Sequence, residues 1–96
     1  MFNDKVYNLV KKIPKGKIST YKIVANKLNS KAYRAVGNAL NKNPYKEVPC
    51  HRIIASNGHL HGYAQGLKAK KEILEKEGIK IKNYKVVNFE KVLFKF

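Results

Sequence analysis

The chain has 96 residues, 44% of them hydrophobic, with 21 Lys and Arg against 6 Asp and Glu, a formal charge of +15. That length suits one domain, and the apolar share argues against disorder throughout. No apolar run is long enough for a membrane-spanning helix, and the N-terminus does not read as a signal peptide. So positive a surface seeks polyanions, nucleic acid first. The alternative is a solvated lysine-rich surface, since all the basic residues except Arg34 and Arg52 are Lys.

In chain order, Phe2, Val6, Leu9, Val10 and Ile13 recur at helical spacing. They predict a first helix, capped by Asn3 or Asp4 and ended by Pro14 and Gly16. Ser19 or Thr20 offers an N-cap for a second helix with Ile23, Val24 and Leu28 inward, broken at Asn29-Ser30. SKAYRAVGNALNKN predicts a third helix capped by Ser30, with Val36, Ala39 and Leu40 inward. Gly37 in its middle costs about 1 kcal/mol against Ala, which points to a close approach at that face. Two short helices joined by a tight break fit a helix-turn-helix, and also fit plain packing.

Asn43-Pro44 opens a loop, and Ser56-Asn57-Gly58 is a turn signal. GLKAKKEILEKEG predicts an amphipathic helix with Leu67, Ile73 and Leu74 inward, closed by Gly78. The tail from Ile79, rich in β-branched and aromatic residues, is expected to form one or two short strands or an extended strap over the core.

Cys50 is the single cysteine, so no internal disulfide forms, and a reducing intracellular compartment is the simplest setting. Within VPCHRII it can be a buried small hydrophobe beside Val48, Ile53 and Ile54. It can be a metal ligand with His51, His59 and His61, although adjacent Cys and His rarely face one metal. It can be a nucleophile, its thiol activated by His51 and the imidazole oriented by a carboxylate elsewhere. Spacing does not choose between acyl and alkyl chemistry.

IPKGKISTY, AYRAVGNALNKNP, VPCHRII and HGYAQGLKAKKEILEKEG, in that order, resemble the motifs of the O6-alkylguanine-DNA alkyltransferases, also called methylated-DNA–protein-cysteine methyltransferases. The likeness runs from about residue 2 to residue 78. It implies a mainly α fold, a winged-helix-like helix-turn-helix domain with an active-site loop, and allows short β elements in the tail. One catalytic domain over residues 1–96 is expected, with no N-terminal domain.

The resemblance also implies a single-turnover transfer of the alkyl group from O6-alkylguanine in double-stranded DNA to Cys50. His51 would take the thiol proton through a water, Glu77 would orient His51, and Asn43 would support the active-site turn. Tyr21 would help the guanine leave. Arg34 would fill the gap left by a flipped nucleotide, while the small residues Ala32, Ala35 and Gly37 let the helix approach the minor groove. Lys31 and Lys42 would attract phosphates, and Arg52 would brace the active-site loop. Val48 and Tyr63 would wall the pocket, with backbone groups near Ile53 and in the Tyr63-Ala64 loop holding the base. Neither metal nor cofactor is required, and a monomer, cytoplasmic and DNA-associated, is implied.

Two departures stand out. The family usually carries an N-terminal domain, and its closing loop usually reads Tyr-x-Gly-Gly where this chain has Tyr63-Ala64-Gln65-Gly66. Gln65 beside the alkyl pocket is expected to narrow the alkyl groups accepted or to change loop mobility. The rival readings are an alkyltransferase-like lesion binder, which carries another residue in place of the acceptor cysteine, a helix-turn-helix regulator, and a zinc-binding nucleic-acid module.

Overall fold

In the computed structural model, which describes residues 2–63 and 66–96, helix α1 spans Phe2–Val10. It begins at Phe2, so Asn3 and Asp4, expected to cap it, lie inside its first turn. There the Asp4 carboxylate meets the positive end of the helix dipole. Ile13 is buried beyond the end of α1.

Strand β1, Ser19–Thr20, leads directly into α2, Tyr21–Lys27. Thr20 caps α2, its Oγ1 accepting from the Ile23 N–H at 3.0 Å. Asn29, with φ 56°, turns the chain toward α3, Tyr33–Asn41. Ser30 does not cap α3. Its Oγ accepts from the Ala32 N–H at 3.0 Å, and the helix starts later, behind an Ala32 that offers no side-chain bond. The reason is local: the Ser30 N–H is already bonded to Ala25 O, closing α2, and the chain needs two more residues to redirect. Val6, Val10, Val24, Ala25, Val36 and Ala39 fuse the three helices into one apolar cluster. The Tyr7 hydroxyl, donating to Ala39 O at 2.7 Å, pins α1 to α3.

A short 3-10 turn, Cys50–Arg52, precedes β2, Ile53–Ile54, which pairs in parallel with β1. Successive strand side chains point to opposite faces. Ile53 therefore joins the cluster of α1 to α3, and Ile54 joins a second one with Ile18, Leu60, Leu74, Ile79 and Val86. The two-residue strands form the partition between the two cores, and the Cys50 turn sits at its edge.

Helix α4, Leu67–Lys76, seals the second cluster through Leu74. It ends with Gly78 at φ +92°, the Gly78 N–H on Glu75 O and the Ile79 N–H on Leu74 O, a Schellman closure. Leu67, expected inward, is exposed, because the first turn of α4 projects beyond the core. Lys70 instead is fully buried on the inner face.

The tail takes both forms expected of it. Strands β3, Ile81–Lys82, and β4, Lys85–Val86, make a hairpin. Its turn residues Asn83 and Tyr84 both have positive φ, the type I′ geometry that matches strand twist. After the short α5, Phe89–Val92, the chain runs beside Ile18, and Phe94 and Phe96 pack on the first cluster. Among the described residues, no helix is long and apolar enough to cross a membrane.

Candidate active site and nucleic-acid interface

Because β2 is registered against β1, the turn before it is held in place, and with it Cys50. The free thiol is partly buried against the first cluster. It faces a cleft of about 460 Å³ that Asn43, Val48, His51 and Tyr63 also line. Asn43 Nδ2 donates to Tyr45 O at 3.0 Å and Val48 O at 3.3 Å, and its Oδ1 accepts from the Tyr45 N–H at 2.9 Å. One side chain thus ties together the loop that delivers Val48-Pro49 to Cys50.

His51 Nε2 stands 2.9 Å from Glu77 Oε2, across 26 residues of sequence. Glu77 caps the C-terminus of α4, where a negative charge opposes the helix dipole. Arg52 offsets that cost. Its Nε and Nη2 donate to the two Glu77 oxygens at 2.9 and 2.8 Å, a bidentate clamp, and its Nη1 donates to Ile13 O at 2.8 Å. Burial alone would raise the Glu77 carboxyl, but the hydrogen bonds and charges of Arg52 and His51 hold it below its ordinary 4.5. Burial also lowers His51 below 6.5, with Glu77 opposing only in part. At neutral pH the ring is therefore uncharged. With Nε2–H donated to the carboxylate, its Nδ1 lone pair is left to accept a proton.

The Tyr21 hydroxyl donates to His61 O at 2.7 Å. Burial, and then the charge of a Cys50 thiolate, push Tyr21 up to about 12, so it keeps its proton throughout the physiological range. The same stretch of loop is held from below by Lys70, whose Nζ donates to Ile53 O, to His61 O at 2.9 Å and to Gly62 O at 3.2 Å. Sequence reasoning missed Lys70 as one more cation of a basic helix. The available signal was its spacing, since it falls four residues before Leu74 on the inner stripe.

A second groove, of about 330 Å³, runs along α3 and is lined by Tyr21, Tyr33, Arg34, Gly37 and the His61-Gly62 loop. A Cβ at Gly37 would lie 3.8 Å from the Tyr21 ring, ordinary contact, so the chain itself does not require glycine there. Lys31, Ala32 and Arg34 are exposed at the start of α3, Ala35 is half-buried, and Lys42 is exposed at its end. No acidic residue occurs from Lys5 to Lys46. Val48 and Ile53 are buried, whereas Ala64 and Gln65 lie outside the described residues. Among the described residues, no group of three His, Cys, Asp or Glu side chains is arranged to hold a metal ion.

Residues 1–79, a stretch that includes Cys50, match the family described as "6-O-methylguanine DNA methyltransferase, DNA binding domain". Methylated-DNA–protein-cysteine methyltransferases of Saccharolobus solfataricus and Methanosarcina acetivorans are 51% and 49% identical to the chain over 80 and 79 residues. These matches take in 83% and 80% of this chain but 52% and 51% of theirs, so the chain spans about half the length of the curated relatives it matches. S. pombe Atl1 in complex with damaged DNA containing O6-carboxymethylguanine is similar with a TM-score of 0.85 and 33% identity, covering 99% of this chain and 95% of that one. Mycobacterium tuberculosis OGT in complex with DNA is similar with a TM-score of 0.76 and 38% identity, covering 80% and 48% of the two chains.

Proposed function

Since the chain belongs to the 6-O-methylguanine DNA methyltransferase family, we propose that it repairs DNA by taking the alkyl group of O6-alkylguanine onto Cys50, once per molecule. The observation that carries this reading is a half-buried free thiol on the same short turn as His51, whose Nε2 stands 2.9 Å from the Glu77 carboxylate. This is the nucleophile, base and orienting-group logic of covalent catalysis. The Cys50 proton passes to His51 Nδ1 through a water, and the sulfur attacks the alkyl carbon. An S–C bond forms as the C–O bond breaks, and the electron pair leaves with the guanine oxygen. Tyr21, which keeps its proton, offers a hydrogen bond to the departing base once that base replaces the His61 carbonyl as its acceptor.

The target atom is inside a duplex, so the nucleotide is extruded before reaction. Arg34 fills the gap, and Ala32, Ala35 and Gly37 leave room for the groove walls. Lys31 and Lys42 attract phosphates without reading sequence. Val48 and Tyr63 bound the pocket, and the Asn43 bonds keep the loop before Cys50 in shape. The protein works in this reading as a monomer, inside the cell where the DNA is.

Lesion binding without transfer is the second reading. It is favoured by the Atl1 likeness, which takes in the tail beyond residue 79. Intact-protein mass after incubation with an O6-methylguanine duplex, followed by peptide mapping, separates the two. A gain of one methylene's mass, on Cys50 alone and absent in Cys50→Ser, supports transfer. Tight lesion binding with no gain overturns it in favour of the binder.

A further inference from the structure

We infer that Tyr33 is a stacking residue for DNA, its ring packing on a nucleobase left exposed beside the gap that Arg34 fills. The inference rests on the DNA-binding reading above and adds a residue that the sequence motifs did not single out.

Tyr33 is the first residue of α3 and is 40% exposed, while Val36, Ala39 and Leu40 of the same helix supply the core. Its hydroxyl makes no hydrogen bond among the described residues. The hydroxyls of Tyr7 and Tyr21, by contrast, are both spent on backbone carbonyls. Among the described residues, the exposed face of the ring and its hydroxyl are left unused.

The position accounts for an aromatic here. Tyr33 borders two concavities at once, the groove with Arg34 and Gly37 and a smaller one of about 220 Å³ that reaches Lys22 and Ser56. The ring is thus the ridge between them. Lys22 and Arg34 line these concavities with it and Lys31 precedes it by two residues, in the stretch from Lys5 to Lys46 that has no acidic residue. A polyanion is the partner this charge selects. An exposed ring among cations is the arrangement by which proteins hold bases without a sequence code, because every base has a π face. Proteins that enter the minor groove use apolar wedges in the same way. Arg34 and Tyr33 line the same groove along α3, so an approach that seats the guanidinium also brings the ring against the duplex.

The test compares wild type with Tyr33→Ala, Tyr33→Phe and Tyr33→Trp, binding one O6-methylguanine duplex and its unmodified counterpart at fixed salt. Thermal melts confirm that each variant is folded. Loss of the ring is expected to weaken lesion binding roughly tenfold. Phe is expected to stay within about twofold, since the ring alone does the stacking. The slope of affinity with salt stays unchanged in Tyr33→Ala, because no phosphate contact is lost. The chain has no Trp, so Tyr33→Trp reports from this site alone, and its emission is expected to be quenched when DNA saturates it. Wild-type affinity in Tyr33→Ala, or unquenched emission at saturation, overturns the inference and leaves the proposed function standing. Failure of wild type itself to bind either duplex overturns both.

Discussion

The buried ammonium of Lys70, on α4, donates to the carbonyl of Ile53, the first residue after the Cys50 turn. The same ammonium holds His61 O and Gly62 O, and His61 O also accepts from Tyr21. One cation therefore joins the strand behind Cys50 to the loop in front of the cleft. In Lys70→Met the three carbonyls lose the ammonium, while His61 O keeps the Tyr21 hydroxyl. A buried acceptor left unpaired costs about 1–3 kcal/mol, and removal of the buried charge offsets part of that. The expected net loss is about 1–2 kcal/mol by urea denaturation. Single-turnover transfer is expected to slow at least tenfold while duplex affinity changes little. An unaltered rate would mean that the loop keeps its place without the cation.

Lys70 also shows where reading the residues fell short. Periodicity placed the helices and most of their inner faces, and the α2 cap was legible as Ser19 or Thr20 because a hydroxyl before a helical stripe is a natural cap, of which the structure uses Thr20. Lys70 sits on the inner stripe of α4, but the acceptors that justify it come from Ile53 and from the 61–62 loop, distant in sequence. The pairing of β1 with β2 was illegible for the same reason. Two residues carry no period, and their partner lies on the far side of α2 and α3. The His51–Glu77 pair followed from the family resemblance, since nothing in the spacing of residues 26 apart demands it.

The acid side of the pH profile belongs to His51 and Glu77. Both are lowered in the folded chain, so each contributes stability above its ordinary value that is lost as pH falls. For His51 the loss begins near 6.5, and for Glu77 near 4.5. Transfer is expected to be level between 6.5 and about 8 and to fall below 6.5 with a midpoint under that value, because a protonated imidazole cannot accept the thiol proton. Single-turnover rates from pH 5 to 8 measure this. A midpoint above 6.5 would contradict the burial of the ring.

The alkaline side belongs to Lys70, which burial pulls from 10.5 down to about 8. Between those values the unfolded chain binds more protons, so the Lys70 contribution makes stability rise with pH. The anchoring effect runs the other way, since a neutral amine has two N–H groups for three carbonyls. Transfer is expected to weaken above about pH 8 while urea stability does not. The two readouts diverge only if the ammonium positions the loop.

Glu77→Gln removes the charge that both orients His51 and supports its basicity. The imidazole drops further below its ordinary value, and transfer is expected to fall about a hundredfold, the scale of a lost general-base contribution. The Arg52 guanidinium, only 15% exposed, is left without its counter-ion, at an expected cost of about 2–4 kcal/mol. Rates are therefore compared at a temperature where the variant is still folded. A full rate there would remove Glu77 from the proton path and leave it a structural partner of Arg52.

The Ile18 N–H donates to Val92 O at 2.9 Å, and the Phe94 N–H donates to Ile18 O at 2.7 Å, so the chain from 92 to 94 closes the edge of β1 that β2 leaves open. Phe94 and Phe96 meet edge to face, 5.0 Å between ring centres, and pack on the first cluster. Truncation after Val87 removes both rings and leaves Ile18 without its partners, an expected loss of about 3 kcal/mol. Ile18 stands three residues before Tyr21, so loosening it also loosens the hydroxyl proposed to assist the departing base. The truncated chain is expected to melt earlier and to transfer more slowly although every residue from Cys50 to Glu77 is intact. Phe94→Ala, which keeps the backbone bonds, separates the two effects: it should lower the melting temperature and leave the rate near wild type. If the rate falls as far in Phe94→Ala as in the truncation, packing rather than the strand edge sets the position of Tyr21.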